Sequence, residues 1–148
     1  MSRAHELSWC AGFFDGEGYI TIQRRLVRYK EKEYTGHYLR IGINHVAPEP
    51  LKEMLKVLGG TLSYDKSSEK QGSDGCKRVP RWKWVTSCET ASSCLKQMMP
   101  YFKNKNKVAE LAIDFQNTMQ AHKKEVSQEV RDLRENFKTQ ITHLNGKD

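Results

Sequence analysis

The sequence predicts an α+β fold of order αββαββα, with a four-stranded antiparallel sheet backed on one face by helices and further helices at the C-terminus. Three observations predict it. The spacing of apolar residues changes from three and four to two at Gly18–Tyr19. Two pairs of alternating segments each lead into a segment of helical spacing, so the second half repeats the first. With 148 residues the chain has material for one core and not for two, so both halves belong to one domain over 1–148. Its core is expected over about 5–118 and a helical extension over about 121–145.

The elements follow in order. Leu7, Cys10, Ala11, Phe13 and Phe14 fall near one face of a helix over Glu6–Phe14, which Asp15-Gly16-Glu17-Gly18 should end. Ala11 and Gly12 put small residues on a helix face, where another helix can approach closely. From Tyr19, Ile20, Ile22 and Leu26 alternate with Thr21, Gln23 and Arg25. A polar loop is expected over Lys30–Gly36. A second strand then points Leu39, Ile41 and Ile43 inward and Tyr38, Arg40, Gly42 and Asn44 outward. Pro48 and Pro50 open the next helix, where a missing N–H does no harm. Its stripe is Leu51, Met54, Leu55 and Leu58, and Gly59-Gly60 stops it.

Thr61–Lys66 reads as a short strand, residues 67–77 as a Ser-, Gly- and Lys-rich loop, and Val79–Val85 as a strand. In that last strand, alternation turns Trp82 and Trp84 to the core and Arg81 and Lys83 outward. Thr86 and Glu89 have the spacing of a capping box. The helix behind it buries Ala91, Cys94, Leu95, Met98 and Met99 and ends at Pro100. Lys103–Lys107 opens another, with Val108, Leu111, Ala112, Phe115 and Met119. In the charged tail Val126, Val130, Leu133, Phe137, Ile141 and Leu144 recur at spacings of three and four, as on one more amphipathic helix.

Charge narrows the partners. Lys and Arg number 25 against 18 Asp and Glu, a formal net charge of +7. A nucleic acid or an anionic membrane surface would complement it, and solubility alone would also account for it. Mean hydropathy is −0.77, and no apolar run is long enough to span a bilayer. Glu6, Asp15 and Glu17 around the first apolar stretch do not suit a signal peptide. The protein is therefore expected inside the cell, in bacterial or phage-infected cytoplasm or an organelle, and not secreted. The four cysteines form no CxxC pair and read as reduced, mostly buried thiols.

The outward sheet face sharpens the choice. Thr21, Gln23, Arg25, Tyr38, Arg40, Asn44, Arg81 and Lys83 are donor-rich types that contact base edges and phosphates. Strand rise and base-pair rise are both near 3.4 Å, so a hairpin of about ten residues can follow about one turn of major groove. Double-stranded DNA is the expected partner.

One stretch carries chemistry. The first helix ends in two carboxylates, Asp15 and Glu17, which oppose the helix dipole at a cost of about 0.3–1 kcal/mol each. Something positive should compensate, and a divalent cation held by a carboxylate and a backbone carbonyl would do so.

Cys10-Ala-Gly-Phe-Phe-Asp-Gly-Glu-Gly18 resembles the LAGLIDADG motif of homing endonucleases. Ala11, Gly12, Asp15 and Gly18 match it, Phe13 and Phe14 keep apolar character, and Glu17 keeps the charge of the final Asp. Cys10 and Gly16 replace the motif's Leu and Ala. The αββαββα order is that family's core, and Pro100–Lys107 resembles its late proline–lysine segment. The likeness covers about Leu7 to about Phe115.

The resemblance implies a sheet curved as a DNA-binding saddle and a metal-dependent endonuclease that homes a mobile intron. Glu17 would ligate Mg²⁺ beside the Gly16 carbonyl. Mn²⁺ would substitute, and Ca²⁺ would bind without supporting cleavage. Lys105 aligns with the family's active-site lysine. His45 stands where the family has Gln or another polar residue that organises water. A single motif implies a homodimer packed through Ser8, Ala11, Gly12 and Asp15, a pseudo-palindromic site and a double-strand break with 3′ overhangs. Two other functions stay open: an RNA maturase acting on intron RNA or a regulator on the same scaffold, and a basic domain that binds nucleic acid without sequence preference.

Overall fold

The computed structural model describes residues 2–65, 80–119 and 127–146. The expected loop at 67–77, with Cys76, Val79 and Val126, lies outside them. The elements are α1 (Arg3–Glu17), β1 (Gly18–Tyr29), β2 (Lys32–His45), α2 (Glu49–Leu58), β3 (Thr61–Asp65), β4 (Arg81–Ser87), α3 (Cys88–Met98), α4 (Asn106–Asn117) and α5 (Gln128–Leu144). A short 3₁₀ turn, Met99–Tyr101, follows α3. The sheet is antiparallel throughout, in the order β1-β2-β4-β3. Among the described residues, no helix is long and apolar enough to cross a membrane.

Alternation places the core as expected. Ile20, Ile22, Leu39, Ile41, Ile43 and Trp84 are fully buried, and they meet Phe14, Leu51, Met54, Leu95, Met98 and Phe115 from the helices. The register confirms the parity of β4. Trp84 pairs with Ile43 on the inner face, and Lys83 with Asn44 on the outer. Trp84 donates from Nε1 to the Gly59 carbonyl at 2.7 Å, which satisfies its only polar atom. This close approach requires Gly60, whose φ is +99° and whose Cβ, if present, would lie 2.9 Å from that nitrogen.

Several expectations change. Helix α1 starts earlier, because the Ser2 hydroxyl accepts from the His5 amide at 3.2 Å. It also runs through Asp15 and Gly16 to Glu17 and passes directly into β1. The Lys30–Gly36 loop is strand: β1 and β2 are joined by Lys30 and Glu31 alone, with φ of 48° and 65°. Two left-handed residues make the tight turn whose twist matches paired strands. Leu26, expected inward, is exposed.

The capping box is not formed. Thr86 is buried within β4, and Ser87 caps α3 without a side-chain bond. Glu89 accepts instead from Gln116 Nε2 at 3.1 Å. In the tail, Ile141 is buried and Phe137 packs edge-on to Phe115 at 6.1 Å, but Leu133 and Leu144 are exposed. Cys10 and Cys94 are buried free thiols, and burial pushes each up to about 11.

Candidate functional site

Three segments meet where α1 ends. Asp15 is half-buried, and its carboxylate is engaged within its own chain. Its carboxylate accepts from the backbone amides of Lys103 at 2.8 Å, Asn104 at 3.0 Å and Lys105 at 2.8 Å. These amides belong to the segment entering α4, whose own N-cap makes no side-chain bond. Asp15 therefore puts a negative charge at the positive end of α4, which removes part of its cost at the end of α1.

Lys105 returns the contact. Its Nζ donates to the Asp15 carbonyl at 2.8 Å. No basic residue lies in the last turn of α1, so this ammonium supplies the positive charge that the helix end calls for. The sequence shows the need for a positive charge here, which a divalent cation would meet, but not that Lys105 supplies one.

Glu17 and Gly16 follow on the same turn, both exposed. The last carbonyls of a helix have no helical N–H to accept from. Phe14 O takes the Gly18 amide and Asp15 O takes Lys105 Nζ, and Gly16 comes next in the chain. A Cβ on Gly16 would meet nothing within 4 Å, so the approach is open. Each chain thus offers one carboxylate and one terminal carbonyl. That sparse set of hard oxygens fits Mg²⁺ held mostly by water and phosphate, and does not fit a closed protein cage. Among the described residues, no group of three or more His, Cys, Asp or Glu is clustered to hold a metal.

His45 is placed less directly. It ends β2 on the parity of Ile43, edge-on to Phe13 at 5.5 Å. Its Nδ1 is engaged by the Ala47 backbone, with the amide nitrogen at 3.0 Å, which leaves Nε2 for other partners. Among the described residues no hydrogen bond joins His45 to Glu17 or Lys105.

The open sheet face holds the other predicted residues together. Thr21 pairs with Arg40, and Gln23 with Tyr38. The Tyr38 hydroxyl donates to Gln23 Oε1 at 2.7 Å, and the Arg25 guanidinium lies 5.2 Å over the Tyr38 ring. Burial acts to lower the Arg40 guanidinium, but hydrogen bonds and charge interaction with Tyr19 and Tyr38 outweigh it and raise it. Asn44 and Lys83 are cross-strand neighbours. Asp65 pairs across the strands with Arg81 and lies 3.7 Å from Lys83 Nζ, an acidic contact on this face that sequence reasoning missed. Alternation in Thr61–Asp65 gives its parity, but only the register shows which cations it meets.

The predicted dimer face divides. Ala11 is fully buried within its own chain, in the shared core. Ser8 and Gly12 are exposed, and a Cβ on Gly12 would meet nothing within 4 Å. The neighbouring Trp9 is an exposed large apolar residue.

Solved structures share this arrangement of elements. The homing endonuclease I-CvuI, in complex with DNA, superimposes with a TM-score of 0.71 at 18% identity, over 96% of this chain and 83% of that one. The archaeal intron-encoded homing endonuclease I-Vdi141I, complexed with DNA, gives 0.70 at 12% identity, over 97% and 86%. The DNA-bound meganuclease I-SmaMI gives 0.61 at 16% identity, over 89% of this chain but only 43% of its own. No protein-family model and no curated protein sequence matches the chain. The fold is that of the LAGLIDADG homing endonucleases, as the residues of α1 led one to expect.

Proposed function

We propose that this chain is a LAGLIDADG homing endonuclease, a site-specific, metal-dependent nuclease for double-stranded DNA that works as a homodimer. The observation that carries the reading is the Asp15-centred junction. It sets the Lys105 ammonium against the helix end that bears Glu17, and that helix runs directly into β1, whose open face carries donor-rich side chains of the types that contact bases and phosphates. The chain covers most of I-CvuI and I-Vdi141I but under half of I-SmaMI.

In this reading Glu17 and the Gly16 carbonyl hold the ion. Bound Mg²⁺ would polarise the scissile phosphate and lower the pKa of an attacking water. Lys105, anchored to the Asp15 carbonyl, places its positive charge for the phosphate oxygens, where a pre-positioned cation needs no reorganisation. His45 offers Nε2 to hold water. Thr21, Gln23, Arg25, Tyr38, Arg40, Asn44, Arg81 and Lys83 contact the duplex. One site per subunit acts on each strand of a pseudo-palindrome, giving a break with 3′ overhangs that homes a mobile intron.

The test is cleavage of a randomised duplex pool with Mg²⁺, followed by binding and cutting of the recovered site. Glu17→Gln should bind that site with near-unchanged affinity and lose at least a hundredfold in cleavage rate. Cutting by Glu17→Gln at the wild-type rate refutes the assignment of Glu17.

A further inference from the structure

Three outward side chains of the β1–β2 hairpin touch one another. Gln23 stands opposite Tyr38, and Arg25, the next outward residue of β1, stands opposite Gly36. The Tyr38 hydroxyl donates to Gln23 Oε1 at 2.7 Å, and the Arg25 guanidinium lies 5.2 Å from the centre of the Tyr38 ring. One residue of β2 thus holds two of β1, with its oxygen on the first and its ring face against the second. Glycine at 36 leaves the space opposite Arg25 without a side chain. A Cβ there would lie 2.6 Å from Val27 Cγ2 and 3.8 Å from Arg25 Cγ.

These contacts restrict what each group can offer a duplex. A side-chain amide has an acceptor end and a donor end. With Oε1 on the Tyr38 proton, the two ends of Gln23 cannot exchange places. Nε2, which has no hydrogen-bond partner among the described residues, is left to donate. The Arg25 guanidinium is attracted by the negative face of the ring beneath it. A long side chain held in one place has less freedom to lose on binding. Its planar fork matches guanine O6 and N7 in the major groove. Outward residues two apart on a strand are separated by about 6.7 Å. That is about two base-pair steps of B-DNA.

We infer that Tyr38 is a positioning residue that makes Gln23 and Arg25 one reading unit: its hydroxyl fixes the amide of Gln23, and its ring fixes the guanidinium of Arg25. Recognition at two base pairs about two steps apart then depends on one phenol. The inference rests on the reading of the chain as a site-specific DNA-binding protein.

The experiment selects bound duplexes from a randomised pool, with Ca²⁺ in place of Mg²⁺. It compares the wild-type protein with Gln23→Ala, Arg25→Ala, Tyr38→Phe, Tyr38→Leu and the double variant Gln23→Ala/Tyr38→Phe. Circular dichroism checks each for the fold. Tyr38→Phe removes a single oxygen and decides the question even where Tyr38→Leu unfolds. Gln23→Ala and Arg25→Ala should each lose about tenfold in discrimination, at separate positions about two base pairs apart. Tyr38→Phe should relax the Gln23 position severalfold and leave the Arg25 position as it was, because the ring remains. Tyr38→Leu lacks both hydroxyl and ring and should relax both. The double variant should match Gln23→Ala, since the hydroxyl acts at that position only through the amide. A double variant worse than Gln23→Ala would show the Tyr38 hydroxyl contacting the duplex by itself. Tyr38→Phe that relaxes no position would show that the amide needs no holding. Either result overturns the inference while site-specific binding stands. If the wild-type protein itself enriches no sequence, site specificity falls and this inference falls with it.

Discussion

Asp15 does more with one carboxylate than its place in a helix-end motif indicates. It accepts from three successive amides and so fixes the entry of α4 to the exit of α1. Asp15→Ala leaves those amides without their acceptor and removes the anion from the start of α4. The loss should be about 0.5–2 kcal/mol, the range for deleting a capping side chain. Chemical denaturation measures it, and Asp15→Asn should recover part. Because Lys105 hangs on the same junction, cleavage by Asp15→Ala should fall at temperatures where the variant is fully folded. An unchanged cleavage rate would show that Lys105 is placed by other contacts. Lys105 was marked in the sequence only by the likeness of Pro100–Lys107 to the family's late proline–lysine segment. The pairing was not, because nothing in local spacing shows a carboxylate meeting amides about ninety positions away.

At the scale of elements, apolar alternation gave the strands their faces, and it failed where polar residues form structure. Lys30 to Gly36 is charged and reads as loop, yet its residues complete the hairpin, with Arg28 and Glu33 paired at 2.7 Å. The tail shows the same limit. Its apolar positions suggested one stripe, but α5 is tied to the hairpin by charge. Glu135 receives both Arg24 and the buried His37, the latter at 2.6 Å, and Arg131 lies over the Tyr34 ring. The hydrogen bond from Arg24, with that of His37, overcomes desolvation and holds the Glu135 carboxyl down at about 2. A depressed carboxyl stabilises the fold above its ordinary value, here 4.5, and loses that contribution as pH falls towards 2. Hydrogen exchange should therefore show α5 amides losing protection between pH 4.5 and pH 2, ahead of the α1 and β2 amides. Glu135→Gln should expose α5 already at neutral pH. Protection of α5 that stays flat across this window would mean that Ile141 and Phe137 hold the helix alone.

The whole molecule raises the question of what α1 faces. Its inner side is complete: Cys10, Ala11 and Phe14 are fully buried within the chain. Its outer side carries Ser8 and Gly12, with Trp9 exposed beside them. Within one chain, glycine at position 12 has no steric purpose, because an added Cβ would meet nothing within 4 Å. It has a cost, since glycine inside a helix is about 0.5–1 kcal/mol less favourable than alanine. Homodimerisation through α1 gives it a purpose, because close approach of two helices requires a small residue where they cross. The two accounts predict opposite signs for one substitution. If the chain acts alone, Gly12→Leu stabilises α1 and leaves cleavage intact. If two chains pack there, Gly12→Leu forces the helices apart by the bulk of two side chains. Sedimentation should then show a dimer for the wild-type protein and a monomer for Gly12→Leu, whose circular dichroism remains that of a folded chain. Cleavage of the pseudo-palindromic site should be lost with the dimer, while each half still carries its own Glu17 and Lys105. A Gly12→Leu protein that sediments as a dimer and cuts normally would remove α1 from the interface.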